Sequence, residues 1–348
     1  MIFKTGRSSN FELLRIILIA MMVTVHLLGH GGALGVLTIK DKNYFSADIM
    51  ESFCIVAVSC FILISGYFGI KANLKKLLVL ESQVLFYSIS ISILFLILKL
   101  CVPAFAVNFS IKEMIKAFVP VITSRWWFIT TYILLFSISP FINIFISKLD
   151  KNTYKIILIV SVFLLYVLPT FRVNPLNNDN GYGLNCFIFL YMLGSYIRKY
   201  YKKKINRYAY LSSYVICTLI ISVARYGLSI VFKEDITWFW EYNNIIVLLS
   251  AMSLFLFFRE IKIRSIVINK ISSLVLAVYL ISVHPSVTVY IYRNIFHTEL
   301  FYYSNLFVFQ IIASMVIIFL TCLIIEYLRR VIFNKFEDKL ATKVSKMI

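Results

Sequence analysis

Apolar residues along this chain gather into ten long runs, at about 11–29, 48–70, 77–101, 126–147, 154–171, 184–198, 208–232, 242–258, 271–292 and 304–328. Short polar segments, most of them rich in lysine and arginine, divide the runs. A helix needs roughly 20 apolar residues to cross a ~30 Å hydrocarbon layer at 1.5 Å per residue. Each run therefore predicts a membrane-spanning helix, and the fold class is all-α, a polytopic bundle of about ten spans. The connections are too short to hold a soluble domain. Residues 1–348 read as one integral-membrane domain whose last stretch, 329–348, is a basic tail.

Composition agrees. Hydrophobic residues make up 61% of the chain and mean hydropathy is +0.87, whereas soluble domains sit near 45–50% apolar. A water-soluble globule is excluded. Charged residues at 15%, with 11 glycines and 6 prolines, exclude disordered and collagen-like classes as well. The first run has no small-residue cleavage site after it and reads as a retained span, not a removed signal peptide.

The net charge of +19 is explained by topology. Alternate connections carry twenty-four of the 35 Lys and Arg residues, among them Lys71, Lys75, Lys76, the cluster from Arg198 to Arg207 and the tail from Arg329. The opposite connections carry eight. By the positive-inside rule both termini are expected in the cytoplasm, and the basic excess points to anionic lipid, not to nucleic acid. Six cysteines stand singly within or beside apolar runs and read as small core residues, and no metal-ligand cluster is visible.

An ionisable group inside a span is a candidate site, because insertion disfavours it by at least ~2.5 kcal/mol. The first run is richest, with Glu12, Arg15, His26 and His30. Eleven residues separate Arg15 from His26, which brings them to within about 20° on one helical face. His26 then lies about 16 Å further along the axis, toward the outer leaflet. Such a stripe must look into the bundle or a wet cavity; it serves equally for a reactive site or a buried network.

Other patterns are weaker alone. The second run ends in Phe61, Ser65, Gly66 and Tyr67, small residues that allow close approach of a helix or a ligand. Lys75 and Lys76 follow, a lipid anchor or a dock for an anionic cytosolic ligand. On the other side, Arg125, Trp126, Trp127, Tyr132 and Pro140 open the fourth run, where an interfacial aromatic belt is the ordinary reading. Ser110 and Glu113 have capping-box spacing, so 110–119 is expected as a short amphipathic helix on the outer surface. In the ninth run His284 stands beside a helix-kinking Pro285.

Taken in order, these pieces resemble the acyltransferase-3 family of integral-membrane O-acyltransferases, from about residue 10 to 330. Arg15 and His26 match its first-span Arg and His; Phe61, Ser65, Gly66 and Tyr67 match its second-span signature. Trp127, Phe128, Tyr132 and Pro140, the stretch ending at Gly194, and Tyr279 to Ile281 with His284 also fit. Two departures stand out. Lys75 and Lys76 occupy the region where the family often has an Arg-x-x-Arg pair, and His284 lies five residues after its tyrosine where many members have three.

The resemblance implies transfer of an acyl group, most simply acetyl, from cytosolic acyl-CoA to a hydroxyl of an exopolysaccharide, another cell-surface glycan, or its lipid-linked precursor. It gives His26 the catalytic role and Arg15, Ser65, Gly66, Lys75 and Lys76 the donor end. Trp127, Tyr132, Tyr279 and His284 fall on the acceptor side. No bound cofactor is implied, since acetyl-CoA or another acyl-CoA is a donor substrate, and the expected location is a bacterial cytoplasmic membrane. The alternative from a different class is a multi-pass glycan or lipid transporter. The low glycine content and the absence of matching broken spans in the two halves speak against it. The sequence leaves the oligomeric state open.

Overall fold

In lipid every backbone polar group must be satisfied within the chain, which leaves helices as the natural element for long apolar runs. The computed structural model describes residues 8–102, 110–176, 179–203 and 205–344. Lys4 and Arg7, and residues 345–348 of the basic tail, lie outside the described residues.

The first half contains α1 (Ser9–His30), α2 (Ala33–Val36), α3 (Tyr44–Cys54), α4 (Ala57–Phe68), α5 (Leu74–Cys101), α6 (Ile111–Phe118), α7 (Trp127–Lys148), α8 (Lys151–Val162) and α9 (Leu168–Thr170). The second contains α10 (Leu184–Tyr200), α11 (Arg207–Phe232), α12 (Ile245–Glu260), α13 (Ile266–Ser272), α14 (Val275–Ser282), α15 (Pro285–Val289) and α16 (Phe307–Val344). All ten expected runs are helical. Among the described residues, eight segments are long and apolar enough to cross a membrane, or nine if the bent pair Ile266–Ser282 and Pro285–Ile295 counts as one span. The run expected at 184–198 is α10, whose 17 residues reach about 25 Å.

The break in the ninth run falls where Pro285 was expected to kink it, with a bend of 74°. His284 caps the helix beyond, its Nδ1 accepting the Ser286 N–H at 3.2 Å. The Ser282 carbonyl, freed by the break, accepts from the Tyr292 hydroxyl at 3.1 Å and from Thr288 Oγ1 at 3.3 Å. The short helix expected at 110–119 is α6. Ser110 Oγ accepts the Glu113 N–H at 3.3 Å, and Ile111, Ile115 and Phe118 stay exposed along one flank.

The last run outgrows its expected length. α16 has 38 residues, about 57 Å, and carries the described part of the basic tail as continuous helix. Its turn past the apolar stretch is held by charge pairing. The buried Glu326 carboxylate accepts from Arg329 Nε at 2.8 Å, Arg330 Nε at 2.6 Å and the Tyr87 hydroxyl at 2.6 Å.

α1 runs through the centre, with Leu14, Leu18, Leu27 and Leu28 fully buried. At one end Phe11 packs on Tyr67 and Phe68 with ring centroids 5.2 Å apart, and Asn10 Nδ2 donates to Phe258 O at 2.8 Å. Lys71, Lys75, Lys76, Arg198 and Arg259 belong to the same end, here termed the basic end. At the far end the Gly31 carbonyl accepts from Thr298 Oγ1 at 2.9 Å and from the Tyr302 hydroxyl.

α4 and α10 approach each other closely. A Cβ on Gly66 would stand 2.0 Å from the Tyr191 carbonyl oxygen, and one on Gly194 2.3 Å from that of Leu63. The two glycines let the backbones touch, as small residues do where lipid supplies no hydrophobic drive.

Candidate active site

Along the last turns of α1, one helical face carries Met22, Val25, His26, Gly29 and His30 to a cavity of about 390 Å³. The opposite wall is the α3–α4 junction, with Glu51, Cys54, Ile55, Ala57 and Val58. Trp127 and Phe128 from the start of α7, Tyr279 from α14, and two loops supplying Asn180, Tyr182, Thr237, Trp240, Glu241 and Tyr242 close the remaining sides.

His26 and His30 are one turn apart, so their rings lie one above the other, centroids 5.2 Å apart and planes 14° from parallel. Facing groups of this kind can exchange a proton or attack a carbonyl carbon. Glu51 is 4% exposed, and its Oε2 has no hydrogen-bond partner among the described residues. A buried polar atom left unpaired is unfavourable by about 1–3 kcal/mol. A carboxyl kept in that state at a cavity wall is suited to a ligand hydroxyl.

Aromatic rings supply much of the surface. Trp127, Tyr182 and Tyr242 form a triangle with centroid separations of 4.5, 5.0 and 5.7 Å. Burial holds the Tyr182 phenol above its usual range, and the nearby Glu51 adds to the effect. Phe128 packs edge-on against Tyr279 at 5.9 Å.

A buried ion cluster fixes the Trp240 wall. Arg225 is wholly buried and donates to Asp48, to Asp235 Oδ1 at 2.8 Å and to the Ile236 carbonyl. Its guanidinium carbon lies 3.1 Å from the centre of the Trp240 ring, and Trp240 Nε1 donates to Ser52 Oγ at 2.8 Å. The Tyr44 hydroxyl adds a bond to Asp235 Oδ1 at 2.7 Å. α3, α11 and the loop before α12 are thereby clamped together. Glu241, next along, pairs with Arg172 at 3.1 Å.

Of the residues singled out in the sequence, His26, His30, Trp127, Phe128 and Tyr279 meet in this cavity. Tyr132 stacks on Phe128 at 6.0 Å, behind the wall. His284 is fully buried, its Nε2 lying 3.1 Å from Arg125 Nη2 and its ring edge-on to Trp126. Burial lowers the pKa of Arg125, with Glu113 opposing that shift. Neither Tyr132 nor His284 lines the cavity.

The donor-side candidates gather near the basic end. Arg15 Nη1 donates to Glu12 Oε1 at 2.7 Å, and the other Glu12 oxygen accepts from Ser272. Ser65 Oγ donates to the Phe61 carbonyl at 3.0 Å, and the face of Gly66 is occupied by Tyr191. Lys76 Nζ donates to the Lys71 carbonyl at 2.8 Å. Arg198 joins them, its guanidinium 5.5 Å over Tyr67 and bonded to the Tyr67 carbonyl at 3.1 Å.

Sequence reasoning missed Glu51, Trp240, Tyr242 and Glu241. The signal for Glu51 was present: Asp48 and Glu51 fall three residues apart inside the second run. The same rule that marked Glu12 and Arg15 applies to them.

Among the described residues no group of three or more His, Cys, Asp or Glu side chains is arranged to hold a metal ion. Bundle and site together define a polytopic membrane protein with a histidine-bearing, aromatic-walled cavity inside its apolar helices. Residues 8–327 match the family model of the acyltransferase-3 type, an acyltransferase domain. The chain belongs to that family and is a multi-pass membrane acyltransferase. No curated protein and no solved structure matches it.

Proposed function

We propose that this acyltransferase moves an acetyl group from cytosolic acetyl-CoA to a hydroxyl of a cell-surface glycan, an exopolysaccharide or its lipid-linked precursor. The observation that carries the proposal is the meeting of His26 with Trp127, Tyr182, Trp240 and Tyr242 at one cavity. Flat aromatic faces suit the apolar faces of a sugar ring, and the histidine lies among them. Donor and acceptor then approach from opposite ends, CoA at the basic end and sugar at the far end. The membrane is the bacterial cytoplasmic membrane.

In the direct route, His26 takes the proton of the acceptor hydroxyl as its oxygen attacks the thioester carbonyl carbon. The carbon–sulfur bond breaks, and the CoA thiolate leaves and takes up the proton. In the two-step route the His26 imidazole nitrogen itself attacks, releases CoA, and is freed when the hydroxyl oxygen takes the acetyl group. Arg15, Lys75 and Lys76 supply cations for the CoA phosphates at the donor end, and Ser65 and Gly66 shape that end through the packing of their helix. Trp127, Tyr132, Tyr279 and His284 belong to the acceptor half, two at the wall and two behind it.

The test is purified protein in detergent or nanodiscs with acetyl-labelled acetyl-CoA and an oligosaccharide pool. Label on sugar, with one CoA released per acetyl transferred, is the expected result. Acceptor movement across vesicles without CoA release indicates a transporter instead. CoA release in the absence of acceptor, in an amount equal to the enzyme, selects the two-step route.

A further inference from the structure

The charge of the cavity limits what sugar can enter it. Among the described lining residues there are two acidic side chains, Glu51 and Glu241, and no lysine or arginine. Glu241 is matched by Arg172, which stands exposed beside it. Glu51 has no ion-pair partner among the described residues, and its Oε2 has no hydrogen-bond partner there. The buried cation Arg225 lies behind the Trp240 ring and is already shared between Asp48 and Asp235. That cluster holds two carboxylates to one guanidinium, so it offers no spare positive charge to the chamber.

Resting on the acyl-transfer reading above, we propose that the acceptor is a neutral or amino sugar and that acidic sugars are turned away. Glu51 is the specificity-determining residue. Its Oε2, unpaired on a residue that is only 4% exposed, accepts a sugar hydroxyl or ammonium. A uronic or sialic acid carboxylate in the same position loses its water and meets no fixed counter-ion. Leaving a charge buried without a partner is strongly unfavourable. The aromatic triangle of Trp127, Tyr182 and Tyr242 reads sugar shape but is indifferent to which neutral sugar it stacks on, so the discrimination falls to the carboxyl.

The experiment uses the full-length protein and pairs of oligosaccharides matched in length, one neutral or amino and one uronic. Binding is read from tryptophan fluorescence, since two of the four tryptophans, Trp127 and Trp240, line the cavity. Transfer is read from labelled acetyl-CoA. Neutral or amino oligosaccharides are expected to bind and to be acetylated about tenfold or more better than their uronic partners. Glu51→Gln is expected to raise acceptor KM and shrink that gap while leaving donor KM unchanged. Equal or better binding of the uronic series overturns the inference, as does an unchanged gap in a folded Glu51→Gln protein. Neutral-selective binding without any acetyl transfer upholds the inference about the cavity and overturns the acyl-transfer reading instead. Binding of neither series overturns both.

Discussion

The guanidinium of Arg225 lies flat over Trp240, 3.1 Å from the ring centre, with Asp48 and Asp235 on its edges. This one side chain joins a transmembrane helix to a cavity wall. Removing it strands the Asp48 carboxylate, which is 1% exposed. Arg225→Leu is expected to destabilise the protein by about 3–5 kcal/mol. Arg225→Lys is expected to be only partly tolerated, because an ammonium cannot serve Asp48, Asp235 and the Ile236 carbonyl from one plane. Thermal unfolding in detergent, followed by tryptophan emission, checks both.

Gly66 separates a packing role from a donor-binding role. A Cβ there would collide with the Tyr191 backbone, and overpacking of this sort is unfavourable by about 1–3 kcal/mol. Gly66→Ala is expected to lower the melting temperature and to reduce activity through loss of folded protein. An unchanged melting temperature with a raised donor KM would instead assign Gly66 to the donor alone.

The two stacked histidines are expected to differ in function. His26 faces the cavity from the more enclosed turn, while His30 lies at the exposed end of the same helix. His26→Ala is expected to lower kcat by about 10²–10⁴, the usual range for a lost general base. His30→Ala leaves the base in place and is expected to change kcat far less. Initial rates of CoA release in membranes containing equal amounts of each variant test the contrast. Transfer at the wild-type rate by His26→Ala removes that residue from the chemistry.

Arg15 offers a kinetic signature of its own. It is tethered to Glu12, which in turn accepts from Ser272, so its charge has a fixed address near the basic end. Loss of one charge-assisted phosphate contact is worth ~1.5–3 kcal/mol. Arg15→Ala is expected to raise acyl-CoA KM about tenfold or more by that figure, with no change in preference among acceptors. A shift in acceptor choice at constant donor KM would put Arg15 in the other half of the site.

Long apolar runs announce spans because the lipid requirement is local, and Ser110 with Glu113 announces a helix start for the same reason. Pro285 marks the broken span in the sequence alone, because a proline inside a helical run removes a helical hydrogen bond. His26, Trp127 and Tyr279 also emerged from the sequence and share one cavity. Glu51 is open to the same rule as Glu12, an acidic residue inside an apolar run, but its role is not, because only packing shows its carboxyl unpaired at a cavity wall. Arg225 was visible as a charge within a span, yet its partners come from Asp48, far upstream, and Asp235, one loop downstream. Trp240 and Tyr242 are indistinguishable in sequence from a membrane-interface belt. Long-range partners decide these roles, and one sequence does not display them.

α1 is a single unbroken helix from Ser9 to His30, and that continuity makes its length a form of information. Adding one residue anywhere between Arg15 and His26 moves the histidine only about 1.5 Å outward but swings it by about 100°. A deletion does the reverse. Substitutions along the segment can be absorbed side chain by side chain, whereas a change in residue number is transmitted whole to everything beyond it. The stretch between these two residues should therefore admit drift in spelling but not in count, and laboratory libraries that vary length there will lose function in steps that follow the helical turn.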